Sequence, residues 1–247
     1  MASGAGQILA GKVALITGAS RGIGRAVAAS YARHGASIFV CARNPTEVGV
    51  AVAELKRDGA EVDGVAGDVG KAEDVEIIST RAIGRFGTID ILVNNASILG
   101  PRESIANYPV SEWEQVMRIN LTGVFLMTRA VLPAMLARGT GSIINVSSGV
   151  GRKGKARWGA YAVSKGGLEI LTQVLSDEVK ETGIRVNSVN PAATRTQMRA
   201  MAYPEEDPLN LPAPEEIVPV FLYLASDASA GVSGQALEAR DWVGRAI

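Results

Sequence analysis

A tyrosine and a lysine lie four positions apart in the segment GAYAVSKGGLEI, residues 159–170. If this segment is helical, the side chains of Tyr161 and Lys165 are neighbours on one face, with Cβ atoms about 5–6 Å apart. A fixed ammonium beside a phenol stabilises the phenolate, so the phenol can exchange a proton at a milder pH. Ordinary helix surfaces also show this spacing. The surrounding sequence must therefore decide whether the pair is catalytic.

A glycine-rich turn near the N-terminus has the form of a dinucleotide-binding turn. It reads TGASRGIG over residues 17–24, with the spacing Gly-x-x-x-Gly-x-Gly. Glycines permit a tight turn and a close backbone approach, and the helix behind them offers free N–H groups to a pyrophosphate. Such a turn could be merely structural, but between a strand and a helix it predicts a dinucleotide site. The predicted contacts in this turn are Gly18, Ser20, Arg21, Gly22, Ile23 and Gly24.

The second predicted strand indicates which dinucleotide is bound. An acidic residue about 20 positions past the glycines usually holds a ribose 2′-hydroxyl. Here no acidic residue occurs between Arg25 and Glu47, and the strand ends at Arg43, with Arg21 in the turn nearby. Two guanidinium groups without a carboxylate suit a 2′-phosphate, although both could also be solvated surface arginines. The pattern favours NADP(H) over NAD(H).

Polar residues also follow the later strands. Asp68 and Val69 lie at the end of the third strand, where they could form a wall for an adenine. The fourth strand ends in NNAS, residues 94–97, whose amides could bind a ribose or tie neighbouring loops together. Ser147 and Ser148 follow the fifth strand. Ligands of open α/β sheets bind at this carboxyl edge.

Composition excludes several classes of protein. An apolar fraction of 47% lies outside the disordered range, and 25 basic residues balance 25 acidic ones, which gives no charge to favour nucleic acid or an anionic membrane. With one cysteine, Cys41, and one histidine, His34, neither an intrachain disulfide nor a Cys/His zinc site can form, and we predict no metal. We expect His34 to cap a helix end. We find no apolar run long enough for a membrane span and no signal peptide in residues 1–10, so we expect a cytoplasmic protein.

Short β-branched segments alternate with longer helical ones, which is the pattern of a parallel sheet covered by helices. The runs VALIT and IDILV are continuously apolar, as in strands buried on both faces. We predict a single doubly wound α/β domain of Rossmann type over residues 1–247, with a seven-stranded parallel sheet and helices on both faces. Ser111 and Glu114 predict a capping box, and Pro133 predicts a kink or an early helix end. The predicted strands are 12–17, 37–41, 61–66, 89–93, 141–146, 184–189 and 235–239, and the clearest helices are 22–34, 71–86, 111–137, 157–182 and 214–226.

Taken in order, these motifs resemble the short-chain dehydrogenase/reductase family over essentially the whole chain. The resemblance rests on TGASRGIG, NNA, the asparagine of RINLTG, a serine at a strand end, and YAVSK. The chain is particularly similar to YciK-like members through RWGAYAVSK and NPAATRTQMRAMAYPEEDP. Individually the motifs are weak, but jointly they are specific.

The resemblance implies a role for each candidate catalytic residue. Tyr161 is similar to the general acid that protonates the carbonyl oxygen, and Lys165 to its electrostatic helper, which also binds the nicotinamide ribose. Ser148, thirteen positions before Tyr161, resembles the serine that polarises the carbonyl, with Ser147 as a lesser candidate. Asn120 resembles the asparagine that holds a water in a proton relay. Charge that develops on the carbonyl oxygen would be stabilised where it forms.

The family also implies the cofactor contacts, and three positions depart from its pattern. The usual glycine after Pro191 is Ala192, which could alter a tight turn, and Ser97 replaces the glycine of NNAG. The C-terminus EARDWVGRAI lacks the usual glycine pair, which leaves the subunit contacts open. Besides the glycine turn, the predicted cofactor contacts are Arg43, Asp68, Val69, Asn95, Ala96, Tyr161, Lys165, Pro191, Thr194 and Thr196.

The resemblance implies an NADP(H)-dependent oxidoreductase that transfers a hydride between nicotinamide and a carbonyl or alcohol. Candidate substrates are ketones, aldehydes and 3-oxoacyl thioesters, selected by loops 97–110, 149–158 and 197–213. The basic segment GRKGKARW could attract an anionic carrier or be a solvated loop. A non-catalytic dinucleotide sensor or scaffold is the alternative function. Family members also lead us to expect a homo-oligomer, a tetramer or a dimer, formed through helices 111–137 and 157–182.

Overall fold

The computed structural model describes residues 6–245 and 247. We expect no signal peptide in residues 1–10, and the first five of these residues lie outside the described part of the chain. Seven parallel strands form one sheet in the order β3-β2-β1-β4-β5-β6-β7. The strand order reverses between β1 and β4, which is where open α/β sheets bind ligands. The predicted doubly wound α/β fold is confirmed. The strands are β1 (Val13–Thr17), β2 (Ser37–Ala42), β3 (Val62–Ala66), β4 (Ile91–Asn94), β5 (Gly141–Val146), β6 (Ile184–Asn190) and β7 (Ala236–Glu238).

Helices connect the strands on both faces of the sheet. A π-helical turn, Arg118–Thr122, divides the predicted helix 111–137 into α4 and α5, and the predicted helix 214–226 begins as a 3₁₀ turn, Pro214–Ile217. The helices are α1 (Gly22–Arg33), α2 (Pro45–Arg57), α3 (Ala72–Phe86), α4 (Val110–Met117), α5 (Gly123–Arg138), α6 (Gly149–Arg152), α7 (Gly159–Glu178), α8 (Gln197–Ala202) and α9 (Pro219–Ala225).

Helix α2 is not among the clearest helices that the sequence predicts between the strands, although its start signal is present. Asn44 caps it, because its side-chain oxygen accepts hydrogen bonds from the N–H groups of Thr46 at 2.9 Å and Glu47 at 3.3 Å. Pro45 occupies the first turn, where a missing N–H costs nothing. Asn-Pro before a helical segment is a start signal that the strand-and-helix pattern overlooked.

Three local expectations can be compared with the structure. The capping box at Ser111 is wrong, because α4 begins at Val110 after Pro109 and no side chain caps it. The early end expected at Pro133 does not occur, since α5 continues to Arg138. His34 does lie at the C-cap of α1, with its Nδ1 2.8 Å from the carbonyl oxygen of Ser30.

The core lies on both faces of the sheet, and successive residues of one strand face opposite sides. In β1, Ala14 and Ile16 pack with α1 and α9, whereas Leu15 packs on the other face with α3 and α5. In β2, Cys41 is fully buried on that second face. Burial on both sides explains why these strands read as continuous apolar runs rather than as alternating ones.

One helical stretch, Val110–Arg138, is long and apolar enough by length and composition to cross a membrane. This differs from the sequence-based expectation that no such run exists. Of its most apolar window, 44% is buried inside the protein, and Met127, Val131 and Met135 pack in the core against the sheet. The apolar character of this stretch is therefore used at least partly by the fold itself.

Tyr31 on α1 provides a test of the packing between α1 and α9. Its buried hydroxyl donates a 2.8 Å hydrogen bond to the carbonyl oxygen of Phe221. We expect Tyr31→Phe to lower the free energy of unfolding by about 1 kcal/mol, because a buried hydrogen bond is lost. Urea denaturation should show a lower midpoint with an unchanged slope.

Tyr108→Phe is the matched control for this measurement. The Tyr108 hydroxyl is buried without a hydrogen-bond partner among the residues that the structure describes. Its removal should change stability by less than about 0.5 kcal/mol, since no hydrogen bond is lost. Equal effects of the two substitutions would contradict the importance of the Tyr31 hydrogen bond.

Candidate active site

A cavity of about 1110 Å³ opens at the carboxyl edge of the sheet. The glycine turn and the ends of β2, β3, β4 and β5 form one part of its wall, and the segment from Pro191 to Ala202 forms much of the other. Of the predicted site residues, Gly24 and Asn120 do not line this cavity. Those that do are Gly18, Ser20, Arg21, Gly22, Ile23, Arg43, Asp68, Val69, Asn95, Ala96, Ser148, Tyr161, Lys165, Pro191, Thr194 and Thr196.

The glycine turn lies against the end of β4, and this contact requires glycine. Gly18 has φ +64°, and a Cβ there would lie 2.8 Å from the Cα of Ala96. A Cβ at Gly24 would lie 2.5 Å from the side-chain nitrogen of Asn95. That nitrogen donates to the carbonyl oxygens of Thr17 at 2.9 Å and Gly18 at 3.0 Å. The Asn95 amide thus ties two loops together, one of the two roles that the sequence allows, and Gly24 makes room for it.

A second layer of amides lies behind this edge. The buried Asn94 side chain donates to Asn145 at 2.9 Å, and Asn145 donates to Thr172 on α7 at 2.9 Å. Hydrogen bonds between these groups reduce the free-energy cost of burying them. They connect the ends of β4 and β5 to the helix that carries Tyr161.

At the predicted 2′-phosphate end, the structure places an acidic residue that sequence reasoning did not include. Glu47, in the first turn of α2, lines the cavity and accepts a 2.8 Å hydrogen bond from the Ser20 hydroxyl. It also pairs with Arg21 at 3.6 Å. Arg43 lines the same part of the cavity. Because the sequence pattern gave no bounds for α2, it did not indicate that Glu47 would lie close to the glycine turn.

Asp68 is fixed at the end of β3. Its carboxylate accepts hydrogen bonds from the N–H of Gly70 at 2.9 Å and from Arg118 at 3.0 Å. Burial raises the pKa of this carboxyl, but the two hydrogen bonds and the charges of Arg118 and Arg43 outweigh that effect and lower it. Asp68 therefore presents an ionised carboxylate beside Val69 at the cavity wall.

Tyr161 and Lys165 lie on one face of α7 and are both buried, with 8% and 2% of their surfaces exposed. The Lys165 Nζ lies 5.7 Å from the centroid of the Tyr161 ring and donates to the carbonyl oxygen of Val146 at 2.7 Å. Burial lowers the pKa of Lys165 to about 8, although the charge of Glu169 raises it. Burial raises the pKa of Tyr161 to about 12, and the nearby hydroxyl of Ser148 opposes that shift.

The two serines after β5 have different surroundings. Ser148 is half-buried and lines the cavity close enough to Tyr161 to influence its pKa. Ser147 is buried, and its Oγ has no hydrogen-bond partner among the described residues. The geometry therefore associates Ser148, rather than Ser147, with the tyrosine.

Asn120 lies in the π-helical turn and is fully buried outside the cavity wall. Its side-chain oxygen accepts from the N–H of Ile98 at 2.8 Å, and its side-chain nitrogen donates to the Ile98 carbonyl at 2.9 Å and to Ser164 at 3.2 Å. Both amide hydrogens are used in these bonds. The side chain fixes the loop after β4 in the position where Ile98 lines the cavity.

An aromatic cluster that the sequence did not reveal covers the other end of the cavity. Trp158 packs against Tyr161 and Tyr203, at centroid distances of 5.6 and 6.1 Å. The Tyr203 hydroxyl accepts a 3.0 Å hydrogen bond from Lys155, which together with nearby charges lowers its pKa. Arg199 lies over the Tyr203 ring at 3.9 Å. Apolar side chains line the cavity here, namely Ile98, Leu99, Met198, Met201 and Ala202.

The basic segment 152–157 is only partly solvated. Arg152 turns inward to the carboxylates of Glu169 and Glu238, at 3.0 and 2.5 Å. Lys155 is the residue that bonds to Tyr203. Two basic side chains of this segment, Arg152 and Lys155, therefore already have partners in the fold. Neither sequence-based interpretation, an anionic carrier or a solvated loop, included these contacts.

Comparison with known proteins agrees with this geometry. The profile of the short chain dehydrogenase family matches residues 12–207. The chain belongs to the short-chain dehydrogenase/reductase family. Members of this family are oxidoreductases that act on small-molecule substrates. The family resemblance that the motifs indicate is confirmed.

Three relatives cover nearly all of the chain. The oxidoreductase YciK of Escherichia coli K12 is 36% identical over 237 residues, which cover 95% of this chain and 94% of YciK. A short chain dehydrogenase structure from Pseudomonas syringae is 45% identical with a TM-score of 0.92, and covers 96% and 98% of the two chains. A short chain dehydrogenase of Escherichia coli CFT073, crystallised with NADPH, is 36% identical with a TM-score of 0.91, and covers 95% and 98%.

Two departures from the family pattern have visible structural consequences. Ala192 keeps the left-handed backbone that a glycine would adopt, with φ +57°, and its N–H bonds to the side chain of Asn190 at 3.0 Å. The turn after Pro191 is therefore kept at some cost in strain. Among the described residues other than glycine, only Arg157 and Ala192 have positive φ, so Ser97 does not adopt the left-handed conformation.

The buried Lys165 predicts a pH dependence of stability. Because its pKa falls from 10.5 to about 8, the folded protein binds fewer protons than the unfolded chain between these values. The free energy of unfolding should then rise with pH in this window, and fall only above pH 10, where Tyr161 with its raised pKa acts oppositely. Between pH 7.5 and 10 the wild type should gain about 2 kcal/mol over Lys165→Met, measured by urea denaturation. If the free energies of unfolding of the wild type and Lys165→Met changed with pH in parallel, the pKa of Lys165 would not be lowered in the folded protein.

Proposed function

We propose that this protein is an NADP(H)-dependent oxidoreductase that transfers a hydride between nicotinamide and a carbonyl or alcohol substrate. The observation that carries the proposal is the buried Tyr161–Lys165 pair, with Ser148 beside it, at the wall of a cavity long enough to reach the glycine turn. A binding module would gain nothing from such a proton-transfer group. The alternative, a non-catalytic dinucleotide sensor, has no specific observation in its favour. We treat residues 1–247 as one domain.

The residues of the cavity fit a dinucleotide. Gly18 and Gly22 both have positive φ, and a Cβ added at Gly22 would meet only Thr196, at 3.7 Å, so the turn leaves open space in front of α1. The N-terminus of α1 points its free N–H groups to that space and favours a negative charge there. Asp68 and Val69 would flank the adenine, and Pro191, Thr194 and Thr196 would flank the nicotinamide. When bound, the nicotinamide supplies or accepts the hydride.

The side chains around Tyr161 would handle the proton and the developing charge. In the reducing direction, negative charge grows on the carbonyl oxygen, and the hydroxyls of Ser148 and Tyr161 would donate hydrogen bonds to it. Tyr161 would then give up its proton, and the ammonium of Lys165 would stabilise the phenolate that remains. Because both Asn120 amide hydrogens are already bonded, a relay water would have to bind its remaining acceptor sites.

The charges at the adenosine end support NADP(H) over NAD(H), with one opposing group. Arg21 and Arg43 would hold a 2′-phosphate, whereas Glu47 now occupies Arg21 and Ser20. A dianionic phosphate beside this carboxylate would be repelled, so Glu47 would have to move away. The structural relative from Escherichia coli CFT073 binds NADPH, which supports the same choice here.

The cavity beyond Tyr161 supports a substrate with an apolar body. Ile98, Leu99, Met198 and Met201 would contact that body, and the indole of Trp158 would lie along it. Arg102, Lys155 and Arg199 surround Tyr203 at this end. We therefore propose ketones, aldehydes or 3-oxoacyl thioesters as substrates. The single cysteine, Cys41, is buried and forms no disulfide among the described residues, which is in keeping with a cytoplasmic location, and we also propose that location.

Tyr161→Phe tests the catalytic role directly. NADPH oxidation with acetoacetyl-CoA and a panel of ketones and aldehydes should fall by about 10²–10⁴-fold, because the proton donor is lost. NADPH affinity should stay nearly constant. Tyr223→Phe, far from the cavity and packed on Trp242 at 4.5 Å, is the matched control and should retain full activity. Undiminished turnover in Tyr161→Phe would refute the assignment.

Arg43→Ala tests the cofactor preference. NADPH binding, followed by fluorescence, should weaken by about 10- to 100-fold, since a charge-assisted hydrogen bond of about 1.5–3 kcal/mol is lost. NADH binding should change little. Glu47→Gln should have the opposite effect and strengthen NADPH binding. Arg57→Ala, at the exposed end of α2, is the matched control. Equal losses for both dinucleotides in Arg43→Ala would contradict the phosphate assignment.

We also propose a homo-oligomer that buries the outer faces of α5 and α7. Large apolar side chains are exposed there, with Phe125 at 48% on α5 and Val163, Ile170 and Val174 at 48%, 59% and 48% on α7. We expect gel filtration with light scattering to give a tetramer or a dimer, and Ile170→Glu to dissociate it. A wild-type protein with the mass of one subunit would overturn this proposal.

A further inference from the structure

Four charged side chains of alternating sign form a chain behind the cavity. Lys165 and Glu169 lie one helical turn apart on α7, Glu169 pairs with Arg152, and Arg152 pairs with Glu238; of these four residues only Lys165 lines the cavity. Glu169 is buried, with 7% of its surface exposed. A carboxylate buried to this extent in a protein core is costly unless it is paired and hydrogen-bonded.

Both oxygens of Glu169 have partners. Oε1 accepts a 3.0 Å hydrogen bond from Nε of Arg152, and Oε2 accepts a 2.7 Å hydrogen bond from the hydroxyl of Ser188 on β6. Both hydrogen bonds are donated to the carboxylate, so a guanidinium and a hydroxyl compensate its negative charge. A fixed negative charge therefore lies one helical turn after Lys165, on the same face of α7.

The backbone brings Arg152 to this place by a close approach of α6 to α7. A Cβ at Gly151 would lie 2.7 Å from the carbonyl carbon of Lys165, so only glycine permits the contact. The next residue, Arg152, then reaches past Lys165 to Glu169. The Nη1 of Arg152 donates to Oε1 of Glu238 on β7, and Oε2 of Glu238 accepts from the Asn190 side chain at 2.7 Å.

The groups that face Lys165 show why this charge matters. The Tyr161 ring centroid lies 5.7 Å from the lysine Nζ, the Val146 carbonyl accepts its hydrogen bond, and Glu169 follows one turn later on α7, with Arg152 and Glu238 behind Glu169. The charge of Glu169 opposes the effect of burial on the pKa of the lysine. Arg152 is itself neutralised by its second carboxylate, Glu238.

We propose that Glu169, held by Arg152 and Ser188, is a positioning residue that keeps the buried Lys165 side chain in its charged form. This deepens the proposed function, because only a charged lysine stabilises a Tyr161 phenolate. The carboxylate acts through the lysine and has no access to the cavity. It does not contact the substrate.

Glu169→Gln tests the proposal without any substrate. The amide can still accept from Arg152 and donate to Ser188, so it fits the site but carries no charge. With ¹³Cε-labelled lysine, NMR should show the Lys165 midpoint, assigned by its loss in Lys165→Met, about one pH unit or more lower, a tenfold change in its acid dissociation constant. In Glu169→Asp, which retains the charge, the Lys165 midpoint should stay close to the wild-type value.

Glu178→Gln is the matched control, since Glu178 lies exposed on the same helix, and it should leave the Lys165 midpoint unchanged. If Glu169→Gln does not fold because Arg152 then keeps only one of its two carboxylate partners, the double variant Glu169→Gln/Arg152→Gln removes both charges and should still lower the midpoint. An unchanged midpoint in a folded variant, or an equal shift in Glu178→Gln, would overturn the proposal. Because the titration needs no turnover, a wrong substrate or reaction would appear instead as an inactive protein with the predicted midpoint shift.

Discussion

The burial of one ammonium group is the constraint on which the site depends. Lys165 is almost entirely removed from water, and among the described residues its ammonium makes one hydrogen bond, to the carbonyl oxygen of Val146. Taking a charge out of water is costly, and the pKa of about 8 records that cost. The surrounding elements reduce it with a strand-end carbonyl and with the carboxylate of Glu169. The ammonium lies 5.7 Å from the centroid of the Tyr161 ring, and in the proposed function its charge stabilises the phenolate.

The geometry of the parallel sheet explains how such different residues meet. All seven strands end at the same edge, so residues far apart in the chain converge there. Close backbone contacts then lock the loops together: Gly18 and Gly24 lie against Asn95, and Gly151 lies against Lys165. In each case a Cβ would collide with backbone or with a fixed amide. Glycine is required at these positions because it lets the elements approach closely, not because it makes the chain flexible.

The two ends of the cavity differ in their electrostatics. Beside the glycine turn, Arg21, Arg43 and Glu47 line the cavity together, and Glu47 pairs with Arg21 at 3.6 Å, so under the proposed function the choice of dinucleotide is a balance between these three residues. At the substrate end, cations surround an aromatic ring, with Arg199 stacked 3.9 Å above Tyr203 and Lys155 bonded to its hydroxyl. The tyrosine ring and the carboxylate of Glu206 already compensate part of this positive charge, because Glu206 accepts two hydrogen bonds from Arg199.

Local sequence patterns determined the strands, the glycine turn and the Tyr161–Lys165 pair, because apolar runs, glycine and helical spacing act within a few residues. They did not give bounds for α2, whose Asn44–Pro45 start was present, and wrongly predicted a capping box at Ser111. Only the tertiary structure decided which side chains meet across the chain. Arg152 reaches Glu238 and Glu47 returns to Arg21, while the Asn120 side chain is used inside the fold. No local pattern encodes these contacts, since they depend on how helices pack on the sheet and on which buried polar groups require a partner.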